Sequence, residues 1–282
     1  MRVGIGLPGG IPGADGHTVI DWARRADEGP FTSLAVIDRY VYDSYEALTS
    51  LAAAAAVTHR VRLATTIVVG PLRNTATLAK TAATVDALSG GRLVLGLAVG
   101  AREDDYQVAK IDYRQRGRIF TDQLASLRTL WDSGAIGPKP VRAGGPEILV
   151  GGLSDQAYLR AARYADGYVH GGGPPRAFGR AADRARAAWR DAGRPGLPQL
   201  WGQGYFALGD GAADRGAQYL KEYYAFTGPF AERIAAGLLA TTQSVIQYIR
   251  GYEEAGCGEL VLLPTIAEPS QLDRLAEVCA SL

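Results

Sequence analysis

The 282-residue chain carries 30 Lys and Arg against 29 Asp and Glu, a formal net charge of +1, which removes the electrostatic reason for nucleic acid or an anionic membrane to be a partner. Hydrophobic residues at 47% and charged residues at 21% are ordinary for a globular protein with ample material for a core. Cys257 and Cys279 lack the spacing of a zinc knuckle or disulfide framework, and neither a secretory signal nor a stretch of about 18 apolar residues is found, so the expected compartment is the cytoplasm.

In chain order, residues 3–7 form a short apolar strand, closed by Pro8-Gly9-Gly10 and a Gly/Pro loop, and a helix follows over residues 18–28. Residues 31–37 read as a second strand ending in Asp38-Arg39-Tyr40. Ser44 is the expected N-cap of a helix through Val57, with Glu46 an ordinary solvated charge within it. Residues 60–105 then give a strand (61–69), a Gly70-Pro71 loop, a helix (75–88) and another strand (93–99). Both strands are almost wholly apolar, the pattern of strands covered on two faces, so the stretch is a βαβ unit of a parallel sheet.

A polar loop is expected over residues 102–118, a helix over 119–131 and a Gly/Pro-rich connector over 134–145. Strand five (147–151), a helix (154–164), strand six (167–170), a glycine loop, a helix through Asp191 and strand seven (200–208) follow. Residues 214–254 hold two or three helices, more than one crossover requires, before strand eight (259–263) and a last helix (270–280). Eight strands separated by helices predict an α/β fold, a (β/α)8 TIM barrel forming one domain over residues 1–282. An open dinucleotide-binding sheet is the rival, since Gly4, Gly6 and Gly9 spell GxGxxG. Two of those glycines lie inside the strand, however, and Pro8 stands where a helix should begin.

Barrels of this kind place their chemistry where the strands end. His17, His59 and His170 form neither HxH nor HExxH, so no metal is expected. None of the four lysines ends a strand, and there is no GxSxG, which disfavours Schiff-base and nucleophilic-serine chemistry. A mouth rich in Gly, Arg, Asp and Tyr suits a bound cofactor that carries the reaction itself. Gly151-Gly152-Leu153-Ser154 closes strand five and opens a helix, so backbone N–H groups, the helix N-terminus and the Ser154 hydroxyl can converge on a phosphate. Gly100-Ala101-Arg102 could add a cation. The plainer alternative is glycines that only permit tight turns.

The segment PLRNTATLAKTAATVDALSGGRLVLGLAVGAREDDY resembles the hallmark region of the luciferase-like monooxygenase family, and ILVGGLSDQAYLRAARYADGYV is similar to that family's strand-five to strand-six region. The likeness runs from GIGLP and SLAVIDR to ELVLLP, most of the chain. It implies a (β/α)8 barrel, commonly a homodimer, that uses FMN or the deazaflavin coenzyme F420 on a small organic substrate. With reduced FMN and O2 the activity would be that of a monooxygenase; with F420 it would be hydride transfer. The ring is implied to lie against strand three at a bulge, often a non-prolyl cis peptide, near Thr66-Ile67. Val99 and Gly100 match residues lining the cofactor; Gly151, Gly152 and Leu153 match the phosphate turn; Gly171 and Gly172 complete the pocket floor.

Two departures bear on the chemistry. Asp38 matches an acidic strand-two position, but the His that follows it in many deazaflavin-dependent relatives is Arg39 here. The Glu directly after the strand-four glycine in some sugar-phosphate dehydrogenases is Ala101, with Glu103 two places later. Asp38, Arg39, Glu103 and His170 are therefore the catalytic candidates, with His17 or a substrate-bound water as further acid/base choices, and Arg39 and Arg102 as anion binders. Tyr40, Tyr42, Tyr45, Tyr106, Tyr205, Phe206, Tyr223, Tyr224 and Phe226 supply aromatic surface, most of it expected in the core or a dimer interface and some of it in the wall of a substrate cavity. Rival functions are a flavin-binding barrel without catalysis and a cofactor-free barrel lyase using Asp38 and Glu103.

Overall fold

The computed structural model describes residues 1–282. Nine parallel strands, β1 (Arg2–Gly6), β2 (Ser33–Val36), β3 (Arg62–Thr65), β4 (Val68–Val69), β5 (Leu93–Ala98), β6 (Glu147–Gly151), β7 (Gly167–Val169), β8 (Gln199–Phe206) and β9 (Glu259–Pro264), form one sheet. Their order is β3-β2-β1-β9-β8-β7-β6-β5-β4, and the pairing of β3 with β5 closes the ring. The strand expected over residues 61–69 is thus two short ones, β3 and β4, parted at the Thr66-Ile67 peptide, which is cis. Counting them as one stave gives the eight of a (β/α)8 barrel, and closure excludes the open dinucleotide-binding sheet.

Alternation along each strand sorts the side chains into two cores. Leu34, Leu63, Leu95, Ile148, Leu200 and Leu262 face the helices. Ala35, Ala64, Val94, Leu149, Val169, Trp201 and Val261 fill the barrel. Small residues on β2 and β3 leave room for the Trp201 indole from β8. At the N-terminal end of the barrel the Glu259 carboxylate, fully buried, takes hydrogen bonds from Arg2 at 3.0 Å and Thr32 at 2.9 Å. Arg62 meets Glu147 at 2.8 Å and lies 4.9 Å from the centre of the Trp201 ring. That end is plugged, which leaves the C-terminal end as the mouth.

The surrounding helices are α1 (Gly16–Glu28), α2 (Ala47–Ala55), α3 (Thr75–Leu88), α4 (Glu103–Val108), α5 (Arg116–Asp132), α6 (Asp155–Tyr164), α7 (Pro175–Asp191), α8 (Ala212–Tyr223), α9 (Phe230–Ala235), α10 (Thr242–Glu254) and α11 (Pro269–Ala280). Three local expectations need correction. The N-cap of α2 is Glu46, whose carboxylate accepts from the Thr49 amide at 2.7 Å, whereas Ser44 turns its hydroxyl toward the Arg39 carbonyl. The same carboxylate pairs with Arg73 at 2.8 Å, so Glu46 is not a free solvated charge. The polar stretch 102–118 is not a plain loop: α4 forms there, its first turn made of Glu103, Asp104 and Asp105, a favourable charge at a helix N-terminus. Buried Tyr106 anchors α4 by donating to the Val99 carbonyl.

The extra helices between β8 and β9 cover the mouth. Tyr219, Leu220 and Tyr223 of α8 and Ala235 of α9 pack with the residues that fill the barrel. No helix is long and apolar enough to cross a membrane.

Candidate active site at the barrel mouth

A cavity of about 360 Å³ opens at the C-terminal strand ends, walled by Ile37, Thr66, Ile67, Val99, Gly100 and Gly171 among others, beneath Tyr223, Tyr224 and Phe226. It falls within the usual range of small-molecule sites, about 300–1,000 Å³. A larger hollow of about 550 Å³ lies on the outside along α6 and α7. That one touches no strand end, so position selects the mouth. Three residues of the mouth lining each leave a buried polar atom without a hydrogen-bond partner: Thr66 Oγ1, Arg102 Nη1 and Gln203 Oε1. Buried polar atoms in folded proteins are nearly always paired. Three such unpaired atoms belong to the lining of this one cavity.

The chain leaves β5 through Gly100, at φ +69°, where an added Cβ would stand 2.6 Å from Val69 Cγ1. Only glycine makes this turn against β4 without displacing it, and it brings Arg102 back over the mouth as the N-cap of α4. Arg102 is 8% exposed. Its Nη2 donates to the Tyr223 carbonyl at 2.9 Å, and its guanidinium carbon lies 4.0 Å from the centre of the Phe226 ring and 4.6 Å from that of Tyr223. Arg39 donates to the same carbonyl at 3.3 Å, but it also meets Asp104 at 3.5 Å and packs over Tyr42. Both cations thus cluster at the C-terminal end of α8, where backbone carbonyls favour positive charge.

The four catalytic candidates do not converge. Asp38 lines the cavity, yet its oxygens are already engaged: Arg73 donates to both, at 2.7 and 2.9 Å, and the Val69 amide donates at 2.9 Å. Arg39 lies behind the lining, and Glu103 is exposed on the first turn of α4. His170 continues β7 on the helix-facing side with Tyr168, because Val169 points inward, and its ring stands edge-on to Phe178. Burial lowers its pKa to about 4, and its Nδ1 has no partner. Asp105 does line the mouth, but one oxygen accepts from the Tyr40 and Val41 amides at 3.0 and 2.7 Å. His17 is exposed on α1.

Among the cofactor candidates, Thr66, Ile67, Val99, Gly100, Arg102, Gly152 and Gly171 come together around the cavity. The turn Gly151-Gly152-Leu153-Ser154 runs outward from it, with Gly152 at φ +128° and Leu153 exposed. Ser154 is the N-cap of α6, but its hydroxyl makes no capping bond, so it and the first amides of α6 stay available. Gly172, at φ +99°, lies just behind the lining against the Gln203 carbonyl. Gln203 is the residue that the sequence reading missed. Its signal was alternation along QLWGQGYF, which puts it on the same inward face as Trp201 and Tyr205. Above it the Tyr205 and Tyr224 hydroxyls share a hydrogen bond of 2.7 Å, and burial pushes both phenol pKa values up.

The family model described as luciferase-like monooxygenase matches residues 1–258. The chain belongs to the luciferase-like monooxygenase family. An uncharacterized protein of Mycobacterium tuberculosis is similar to this family member at 31% identity over 202 residues, 65% of this chain and 70% of that one. Solved structures of like fold include an F420-dependent secondary alcohol dehydrogenase in complex with an F420-acetone adduct. Its TM-score is 0.78 at 18% identity, with 98% of this chain and 97% of that chain covered. Another is the oxygenating constituent of 3,6-diketocamphane monooxygenase from Pseudomonas putida, a type II Baeyer-Villiger monooxygenase in complex with FMN. Here the TM-score is 0.75 at 17% identity, over 99% of this chain and 96% of that chain. At these identities the likeness is one of fold.

Proposed function

We propose that this luciferase-like protein is a flavin-dependent oxidoreductase, a monooxygenase that uses reduced FMN and O2 on a small organic substrate. One observation carries the reading: the orphaned atoms of Thr66, Arg102 and Gln203 surround a cavity at the strand ends, where Gly100 and Gly171 put no side chain in the way. Bound reduced FMN would supply the reaction with O2; F420, the alternative cofactor, would supply hydride.

In this reading Thr66 and Gln203 would offer hydrogen bonds to the cofactor, and Ile67 and Val99 would give it apolar contact. The amides of the Gly151–Ser154 turn and the Ser154 hydroxyl hold a phosphate at the N-terminus of α6. Tyr205, Tyr223, Tyr224 and Phe226 exclude water, which protects a reactive reduced cofactor and strengthens every electrostatic contact inside. Asp38, with its oxygens engaged, acts as a positioning residue: through Arg73 and the Val69 amide it fixes the end of β4 beside the ring.

Titrating the apo-protein with FMN and with F420, read by fluorescence quenching, tests the assignment. Tight binding of FMN is expected, and binding of neither ring would overturn it. A clear preference for F420 would move the activity to hydride transfer. Stopped-flow reoxidation of the reduced, loaded protein over a substrate panel then separates an enzyme from a flavin-binding barrel without catalysis.

A further inference from the structure

Several arginines of this fold have no ion-pair partner, and two of them are saturated by carbonyls. Arg60 and Arg92 form no salt bridge, but every guanidinium nitrogen of each donates to the protein: Arg60 Nε, Nη1 and Nη2 to the carbonyls of Asp27, Phe31 and Gly29, Arg92 Nε, Nη1 and Nη2 to those of Ser89, Val61 and Thr58. Such arginines staple the backbone. Arg102 is more deeply buried and is not saturated: Nη2 alone has a protein acceptor, Nη1 has none, and no carboxylate lies within ion-pair distance. Phe226 and Tyr223 cover the guanidinium, and Arg102 is part of the lining of the mouth cavity. Arg39, sharing the Tyr223 carbonyl, adds a second positive charge that half-exposed Asp104 only partly offsets. A buried guanidinium with a free edge is costly unless a counter-charge completes it.

We propose that Arg102 anchors an organic oxyanion, so that the substrate carries a carboxylate on a flat, unsaturated body seated between the cofactor ring and the aromatic cover. The carboxylate takes Nη1, where a charge-assisted bond is strongest, and the body lies among Tyr205, Tyr224 and Phe226. The inference rests on the flavin reading for the position of the ring, but the anion site is testable without it.

The test is isothermal titration of the wild type, Arg102→Gln and Arg102→Lys with benzoate and with its neutral isostere benzamide, in apo and FMN-saturated protein. Wild type should bind benzoate at least about ten-fold more tightly than benzamide, as one charged hydrogen bond implies. Arg102→Gln should erase that preference and leave benzamide unchanged, and Arg102→Lys should restore part of it. Equal binding of the two probes by wild type overturns the proposal and needs no variant to fold. So does an Arg102→Gln protein that still prefers benzoate. A third arm compares FMN with riboflavin: if Arg102→Gln loses affinity for FMN alone, the guanidinium serves the cofactor phosphate and the substrate assignment falls. Absence of any FMN or F420 binding would instead sink the redox function, with the benzoate result on apo-protein still standing by itself.

Discussion

The Arg73 guanidinium grips both carboxylate oxygens of Asp38, with side-chain exposures of 8% and 2%. Burial works against the charge on Arg73, but the hydrogen bonds and charge of Asp38, and then of Glu46, outweigh it and raise its pKa. The pair ties the end of β2 to the loop after β4, and Glu46 joins α2 to the same cation. Removing one member of a buried pair strands the other, at about 3–5 kcal/mol. Arg73→Met should therefore lose that much in urea unfolding followed by tryptophan fluorescence. Asp38→Asn in the Arg73→Met background should recover part of it. A loss below about 1 kcal/mol, the level of an exposed pair, would show that the contact does not organise the mouth.

His170 makes stability depend on pH. Its pKa falls from 6.5 to about 4 because burial disfavours the imidazolium. A depressed folded pKa means that the unfolded chain takes up the proton first, so this contribution is whole above 6.5 and is lost as pH falls toward 4. At about 1.4 kcal/mol per unit the full effect is about 3 kcal/mol. Urea midpoints should decline between pH 7 and about 5, before the carboxylates contribute. His170→Gln, neutral throughout, should flatten that slope; an unchanged slope would place the titrating group elsewhere.

Gly171 offers a cleaner probe of the cavity than Gly152. A bulky residue at 152 would face φ +128° and put its Cβ 2.9 Å from Ala157 Cβ, so backbone strain would be mixed with any loss of binding. At 171 an added Cβ meets nothing within 4 Å, and the position lines the mouth. Gly171→Leu should keep the melting temperature of the apo-protein while abolishing FMN binding in the quenching titration. Wild-type affinity in this variant would count against the ring position.

Thr66 should show opposite effects on stability and binding. Its hydroxyl is buried and unpartnered, and a buried hydroxyl without a bond costs about 1–3 kcal/mol. The nearly isosteric Thr66→Val should leave the apo-protein equally stable or more stable by thermal melting. The same change should weaken cofactor binding by about ten-fold, the worth of one hydrogen bond. If stability falls and affinity holds, the hydroxyl serves the fold and not a ligand.

The two-faced apolar strands, the punctuation between them and the glycine turns after β5 and β6 are local features, and they were legible because each depends only on neighbours in sequence. The same holds for the hallmark segment that carries the family. What failed was partnership across the chain. Glu46 looked like a solvated helix charge until Arg73, 27 residues on, was seen to pair with it. Asp38 and Glu103 looked equivalent as carboxylates, yet one is buried against a cation and the other faces solvent. His170 was readable in principle, since alternation after Val169 already turns it outward.

By itself, then, the sequence determined the parallel barrel and where its chemistry-bearing end lies, because strand periodicity and turn residues act over short range. Only closure of the barrel decided which polar atoms face one another. It joined the end of β5 to α8, more than 100 residues apart, so that Arg102 meets the Tyr223 carbonyl and Nη1 is left without a protein partner. Burial and pairing are properties of that three-dimensional enclosure, and they separate a charge paired within the scaffold from one without an ion-pair partner.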